Sequence, residues 1–191
     1  AENHPDTLLW AYHGAGVHHL ARGEGEAATA AFERAYGLCR AHDMPAYVPR
    51  VSAELALALA LGGRGAEAVA MVQRAAEEAG ARKQVASYSQ VLLLVGEVCL
   101  VAGRLTEAHA AAVSVLEHFR RQAERAHEAW TLRLLGDVAA QGDPADITAA
   151  ETHYRGSRDL AAALGMTPLI ARCDRALGDL AHGRPAPGRS D

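Results

Sequence analysis

A three-residue skeleton recurs along this chain about every forty residues, and it limits the possible folds more than any other feature. In its cleanest copy Gly96 is followed by Gly103 and then Ala108. The same skeleton stands upstream as Ala56, Gly63, Ala68 and as Gly16, Gly23, Ala28. Downstream it returns as Gly136, Gly142, Ala150, with a longer turn. Around each copy the apolar residues fall at helical spacing, for example Ala28, Ala31, Phe32, Ala35 and Leu38. Each copy therefore reads as the end of one helix, a tight turn and the start of the next. A fixed period of this length in a helical pattern means stacked helix pairs, because one pair cannot bury its apolar face alone.

Turn and cap residues divide the chain into units at about 5–43, 44–81, 82–122 and 123–165, followed by a last helix over 167–182. Each unit is expected to carry a first helix (A) and a second (B). Pro5 suits a first helical turn, where its missing N–H costs nothing. The second A helix is expected to start at Pro45, and Gly80 to stop the second B helix in a left-handed conformation. Thr167 followed by Pro168 predicts an N-cap and first position for the last helix, an A helix without a B partner that caps the stack. The tail from Gly183 combines helix breakers with little to bury, which predicts disorder over 183–191.

Superposing the units gives each column a physical task. Gly16, Ala56, Gly96, Gly136 and Gly178 share one register, where a small side chain admits a neighbouring helix. Glycine in a helix interior costs about 0.5–1 kcal/mol relative to alanine, so its recurrence there signals packing. Ala15, Leu55, Val95, Leu135 and Leu177 precede it and are expected in the core. Ala28, Ala68, Ala108 and Ala150 let helix B cross helix A closely. Phe32, Val72, Ala112 and Tyr154 are expected to fill the gap between pairs.

These columns resemble the tetratricopeptide repeat: a small-residue column in helix A, a turn glycine and an alanine early in helix B. The resemblance covers about residues 7–182. It departs in period, about 40 against 34, and in the loss of most helix-A aromatics. The stretches Gly142–Tyr154 and Leu164–Cys173 are similar to the C-terminal repeats of large bacterial signalling proteins and transcriptional regulators. The resemblance implies an all-α, right-handed α-solenoid of about four antiparallel helix pairs plus a C-terminal capping helix, in a single domain over 1–182.

In such repeats the A helices line a concave groove. Three columns are then expected to face it. One holds Trp10, Arg50, Gln90, Trp130 and Arg172. The next holds His13, Ala53, Leu93, Arg133 and Arg175. The third holds Val17, Leu57, Glu97, Asp137 and Asp179. Trp and Arg are the residue types that anchor partners. The arginines have two possible uses: binding a partner carboxylate or phosphate, or pairing with Glu54, Asp137 and Asp179 inside the scaffold. The lysine- and asparagine-based carboxylate clamp of chaperone-binding repeats is absent, since no groove column holds a lysine.

Catalytic, metal and cofactor chemistry have no foothold in the sequence. No phosphate loop or nucleophile elbow is present. His18 and His19 are adjacent and diverge by about 100° on a helix. His109, His118 and His127 recur every nine residues, on alternating faces. Cys39, Cys99 and Cys173 lie far apart among apolar residues, which predicts buried free thiols. A formal charge of −4 argues against nucleic acid or an anionic membrane as partner. No apolar run reaches the roughly 20 residues that span a bilayer, and no signal peptide opens the chain, so a cytoplasmic location is expected. Of nineteen basic residues only Lys83 is lysine, an association with GC-rich bacterial coding sequences. The expectation is a non-catalytic protein- or peptide-binding scaffold in bacterial signalling or transcription control, with another protein, a peptide or a second copy of the chain as its partner. The alternative is a small-molecule-sensing repeat domain with a ligand held between Trp10 and Trp130.

Overall fold

The structure is a computed structural model that describes residues 4–81 and 85–184, with the backbone alone for 85–87. The expected third-unit start at Arg82 and the tail beyond Arg184 lie outside the described residues. These are all-α, without a strand among them, and the chain forms two compact units, one up to Ala102 and one from Gly103. The first holds α1 (Pro5–Ala21), α2 (Gly25–Ala41), α3 (Val48–Leu61), α4 (Gly65–Ala81) and α5 (Val85–Val101). The second holds α6 (Leu105–Arg121), α7 (Arg125–Gln141), α8 (Ile147–Ala163) and α9 (Thr167–Ala181). In the first unit each helix packs on the next, and α3 also packs on α5. In the second, α6, α7, α8 and α9 pack in succession, with a lighter α7–α9 contact. Consecutive pairs leaning on each other in this way are the architecture of an α-solenoid.

The turns follow from residues that tolerate a left-handed backbone. Gly23, Gly63 and Gly103 have φ of 73°, 83° and 75°, a region that suits glycine because it lacks a Cβ. Gly142 does not share this role: its φ is −60°. There the longer turn ends at Asp146, whose carboxylate caps α8 by accepting from the Ala149 N–H at 2.9 Å. The links between pairs use a second left-handed column, Asp43, Ala123 and Gly165, with φ of 48°, 54° and 69°.

Three expected boundaries move. The helix placed from Pro45 begins at Val48, after a turn closed by the Tyr47 N–H on the Met44 carbonyl. Gly80 does not stop α4, which runs to Ala81; a Cβ there would come to 3.3 Å from the Tyr88 ring, so the glycine serves close packing. Thr167 is the first helical residue of α9 rather than its cap, which falls at Met166.

The packing columns fare better. Ala28, Ala68, Ala108 and Ala150 are fully buried. A Cβ on Gly16 would stand 2.7 Å from the Phe32 ring, and one on Gly136 2.6 Å from the Tyr154 ring. The rings of α2 and α8 therefore lie directly over glycines of α1 and α7. Phe32 and Tyr154 thus fill space inside a pair, and they also share a core with the helix that follows it, Phe32 with Ala53 and Ala56 of α3 and Tyr154 with Ala176 of α9. In α3 and α4 the same register holds Ala56 and Val72, both fully buried: a larger residue on A meets a smaller one on B. Gly178 departs from the column. Nothing lies within 4 Å of a Cβ placed there, and among the described residues no helix follows α9. The three cysteines are buried and outside any disulfide among the described residues, and burial pushes the Cys39 and Cys173 thiols up. No helix among the described residues is long and apolar enough to cross a membrane.

Candidate functional site

Several of the expected groove residues gather into two clusters, one in each unit. In the first unit α1 supplies Trp10 and His13, and α3 supplies Arg50 and Glu54. His13 is buried against α3, its Nε2 2.7 Å from Glu54 Oε2. Arg50 donates from Nε to the other Glu54 oxygen at 3.2 Å. The i, i+4 spacing on α3 sets that second contact. Trp10 packs edge-on against His13, with centroids 5.3 Å apart, and against Tyr47, at 5.4 Å. It nevertheless remains 46% exposed, so the indole is fixed by its neighbours while still offering surface.

In the second unit α7 supplies Trp130, Arg133 and Asp137, at positions that share one helix face. Asp137 is buried and is held by two groups: the Arg133 guanidinium, and the Tyr154 hydroxyl, which donates to Oδ1 at 2.8 Å. Burial holds its carboxyl above the usual aspartate range, against the pull of Arg133 and the Tyr154 hydrogen bond. Burial, together with the neighbouring Asp137 charge, drives the Tyr154 hydroxyl far above its ordinary value. This pair therefore holds α7 to α8 and is poorly suited to move protons. Arg133 and Arg172 both face Trp130, their guanidinium carbons 5.6 and 5.4 Å from the ring centroid, within cation–π range.

The arginines of these columns differ in what they contact. Arg50 and Arg133 pair inside the scaffold. Arg172 is exposed on α9 and stacks on Trp130, with no carboxylate within ion-pair distance among the described residues. Arg175 is exposed on α9 and joins neither cluster. Gln90 and Glu97 lie half-buried on α5. Asp179 pairs with Arg184 at 3.6 Å. The two tryptophans sit in different units, each in contact with side chains of its own unit.

Two participants escaped the sequence reading. Tyr154 belongs to a column whose other members are apolar, so only its hydroxyl, facing the acidic position of α7, gave a signal. Tyr47 lies in a link between helices, outside every periodic column. Two other buried hydroxyls are engaged with backbone: Ser52 donates to the Val48 carbonyl and Ser157 to that of Ala129, each at 2.8 Å. Cys173 in turn donates to Ser157 Oγ. Among the described residues no three side chains are placed to hold a metal ion. No family model matches the chain, and no curated protein matches it significantly.

Proposed function

We propose that this chain is a non-catalytic binding scaffold of the tetratricopeptide kind, at work in the cytoplasm in bacterial signalling or transcription control. Its partner is an acidic segment of another protein, taken up on the A-helix face of the second unit. The observation that carries this reading is Arg172 stacked on Trp130. Stacking orients the planar guanidinium and leaves its donor edge open, the arrangement that receives a carboxylate with two parallel hydrogen bonds. Trp130 beside it offers an apolar anchor, and Trp and Arg are the residues that dominate binding energies. Arg133 is not the contact residue: Asp137 already occupies it.

The test uses a fluorescein-labelled glutamate-rich peptide and its glutamine counterpart in a fluorescence-polarisation titration. Binding of the acidic peptide, lost by about tenfold or more in Arg172→Glu and weakened by salt, supports the reading. The melting temperature should stay unchanged, because Arg172 is exposed. Equal binding of both peptides, or an Arg172→Glu variant that binds as tightly as the parent, refutes it. The same stacked pair also suits a small carboxylate, the sensing alternative. Quenching or enhancement of tryptophan emission by small dicarboxylates, without peptide binding, would favour that one.

A further inference from the structure

Helix α1 stands at the edge of the first unit with the composition of an interior helix. From Thr7 to Ala21 it contains no Asp, Glu, Lys or Arg. Its solvent side carries Thr7, Trp10, Gly14, Val17 and Ala21 in line, with Ala11 and His18 beside them, all exposed. The five in line step by three and four, the spacing of one straight seam along a helix. Trp10 and Val17 are 46% and 45% exposed, whereas in α3 all but a few residues are buried by neighbours. In the second unit, α9 differs. Its exposed side bears Arg172, Asp174 and Arg175, a charged face.

We propose that the exposed seam of α1 is an interface with a second copy of this chain, formed by two α1 helices packed antiparallel about a twofold axis near Gly14. Three features favour a copy as the occupant. A twofold contact places a surface against itself, so any charge on it would face its like; this seam holds no Asp, Glu, Lys or Arg, with His18 the one basic side chain exposed beside it. The seam is also complementary to itself in size. Gly14 lies at its centre, and nothing stands within 4 Å of a Cβ there, so two backbones can approach closely. With the axis at Gly14, Trp10 of each copy lies along the partner helix opposite its positions 17 and 18. The Trp10 ring is already held by His13 and Tyr47, which lowers the entropy lost on binding.

The size of the contact sets its strength. A helix of 17 residues is about 25 Å long. One such pair buries roughly half of the 1,200–2,000 Å² of a stable interface. The dimer is accordingly weak, with a dissociation constant of micromolar order or above.

Sedimentation velocity on the full chain, from about 10 to 500 µM, reads the prediction directly. The mean mass should climb from monomer towards dimer and stop there. Gly14→Glu should remain monomeric throughout, with unchanged helicity and melting, because its side chain enters open space and places two carboxylates at the axis. Gly14→Cys should form an intermolecular disulfide under mild oxidation, since two Cα atoms at a close helix crossing lie within disulfide range. Arg175→Cys, on the polar side of α9, should not. A parent chain monomeric at the highest concentration overturns the proposal, as does assembly beyond dimer or a Gly14→Glu variant that dimerises normally. Acidic-peptide binding is a separate property: Gly14→Glu should retain it, and Arg172→Glu should retain the dimer.

Discussion

Gly16 and Gly178 occupy the same register of the repeat, yet the structure predicts opposite consequences when each becomes alanine. At Gly16 the new methyl would meet three carbons of the Phe32 ring at 2.7–2.8 Å. Carbon atoms attract best at about 3.5–4.0 Å, so the ring must retreat by roughly 0.8 Å. Phe32 is fully buried and has the His13 ring at 6.2 Å, which leaves it little room. Overpacking of this kind costs about 1–3 kcal/mol, offset by about 0.5–1 kcal/mol from removing glycine from a helix. The net effect is a loss of about 1–2 kcal/mol. At Gly178 the methyl enters open space, and only the gain of about 0.5–1 kcal/mol remains. At about 2–4 °C per kcal/mol for a chain of this size, Gly16→Ala should lower the melting temperature by about 4 °C and Gly178→Ala should raise it by about 2 °C. Circular dichroism melts measure both. The mechanism is isolated by adding Phe32→Val to Gly16→Ala, which recreates the Ala56–Val72 pairing of α3 and α4. The two changes should couple favourably by about 1 kcal/mol in a double-mutant cycle. A Gly16→Ala variant that melts above the parent, or a cycle with no coupling, refutes the reasoning.

Two further outcomes follow from the buried polar groups. Asp137 binds its proton more tightly in the folded chain than in the unfolded one, so its contribution to stability should fall as pH rises from about 3.8 through the raised folded value. The stability of the parent relative to Asp137→Asn, measured by urea unfolding across that window, should decline with pH; a difference that grows instead means that pairing with Arg133 outweighs burial. Cys39 and Cys173 are buried and their thiols are pushed up, so a thiol reagent at pH 8 should label them only as fast as the chain opens, and completely in denaturant; rapid labelling of the native chain would contradict their placement.

The repeat was legible because its signals are steric. Glycine under a ring and alanine at a helix crossing can each be filled by few residue types, and they recur at a fixed spacing. The left-handed links at Asp43 and Ala123 were hidden because neither residue advertises the conformation that tertiary packing imposes on it. Gly142 misled for the opposite reason: glycine is common in turns, and here the two extra residues let Asp146 take over. The candidate site was legible as positions and not as partnerships. Column alignment found Arg50, Arg133 and Arg172 alike, but exposure and the helix beside each decide which are consumed by Glu54 and Asp137. His13 looked like a groove residue and is buried, since its ring faces a carboxylate from the neighbouring helix.

The ring-over-glycine contacts have a consequence for how such chains can be recombined. The bulky member of each contact belongs to helix B and its receptor to helix A in α1–α2 and α7–α8, while α3–α4 divides the same volume more evenly between alanine and valine. A crossover in the turn between the A and B helices would join Ala56 to a ring, or a glycine to Val72, leaving either a clash or a void. A crossover in the links after Ala41 or Ala163 keeps both members together. Inheritance of this fold is thus punctuated at every second turn, with the helix pair, rather than the helix, as the smallest piece that can be moved intact.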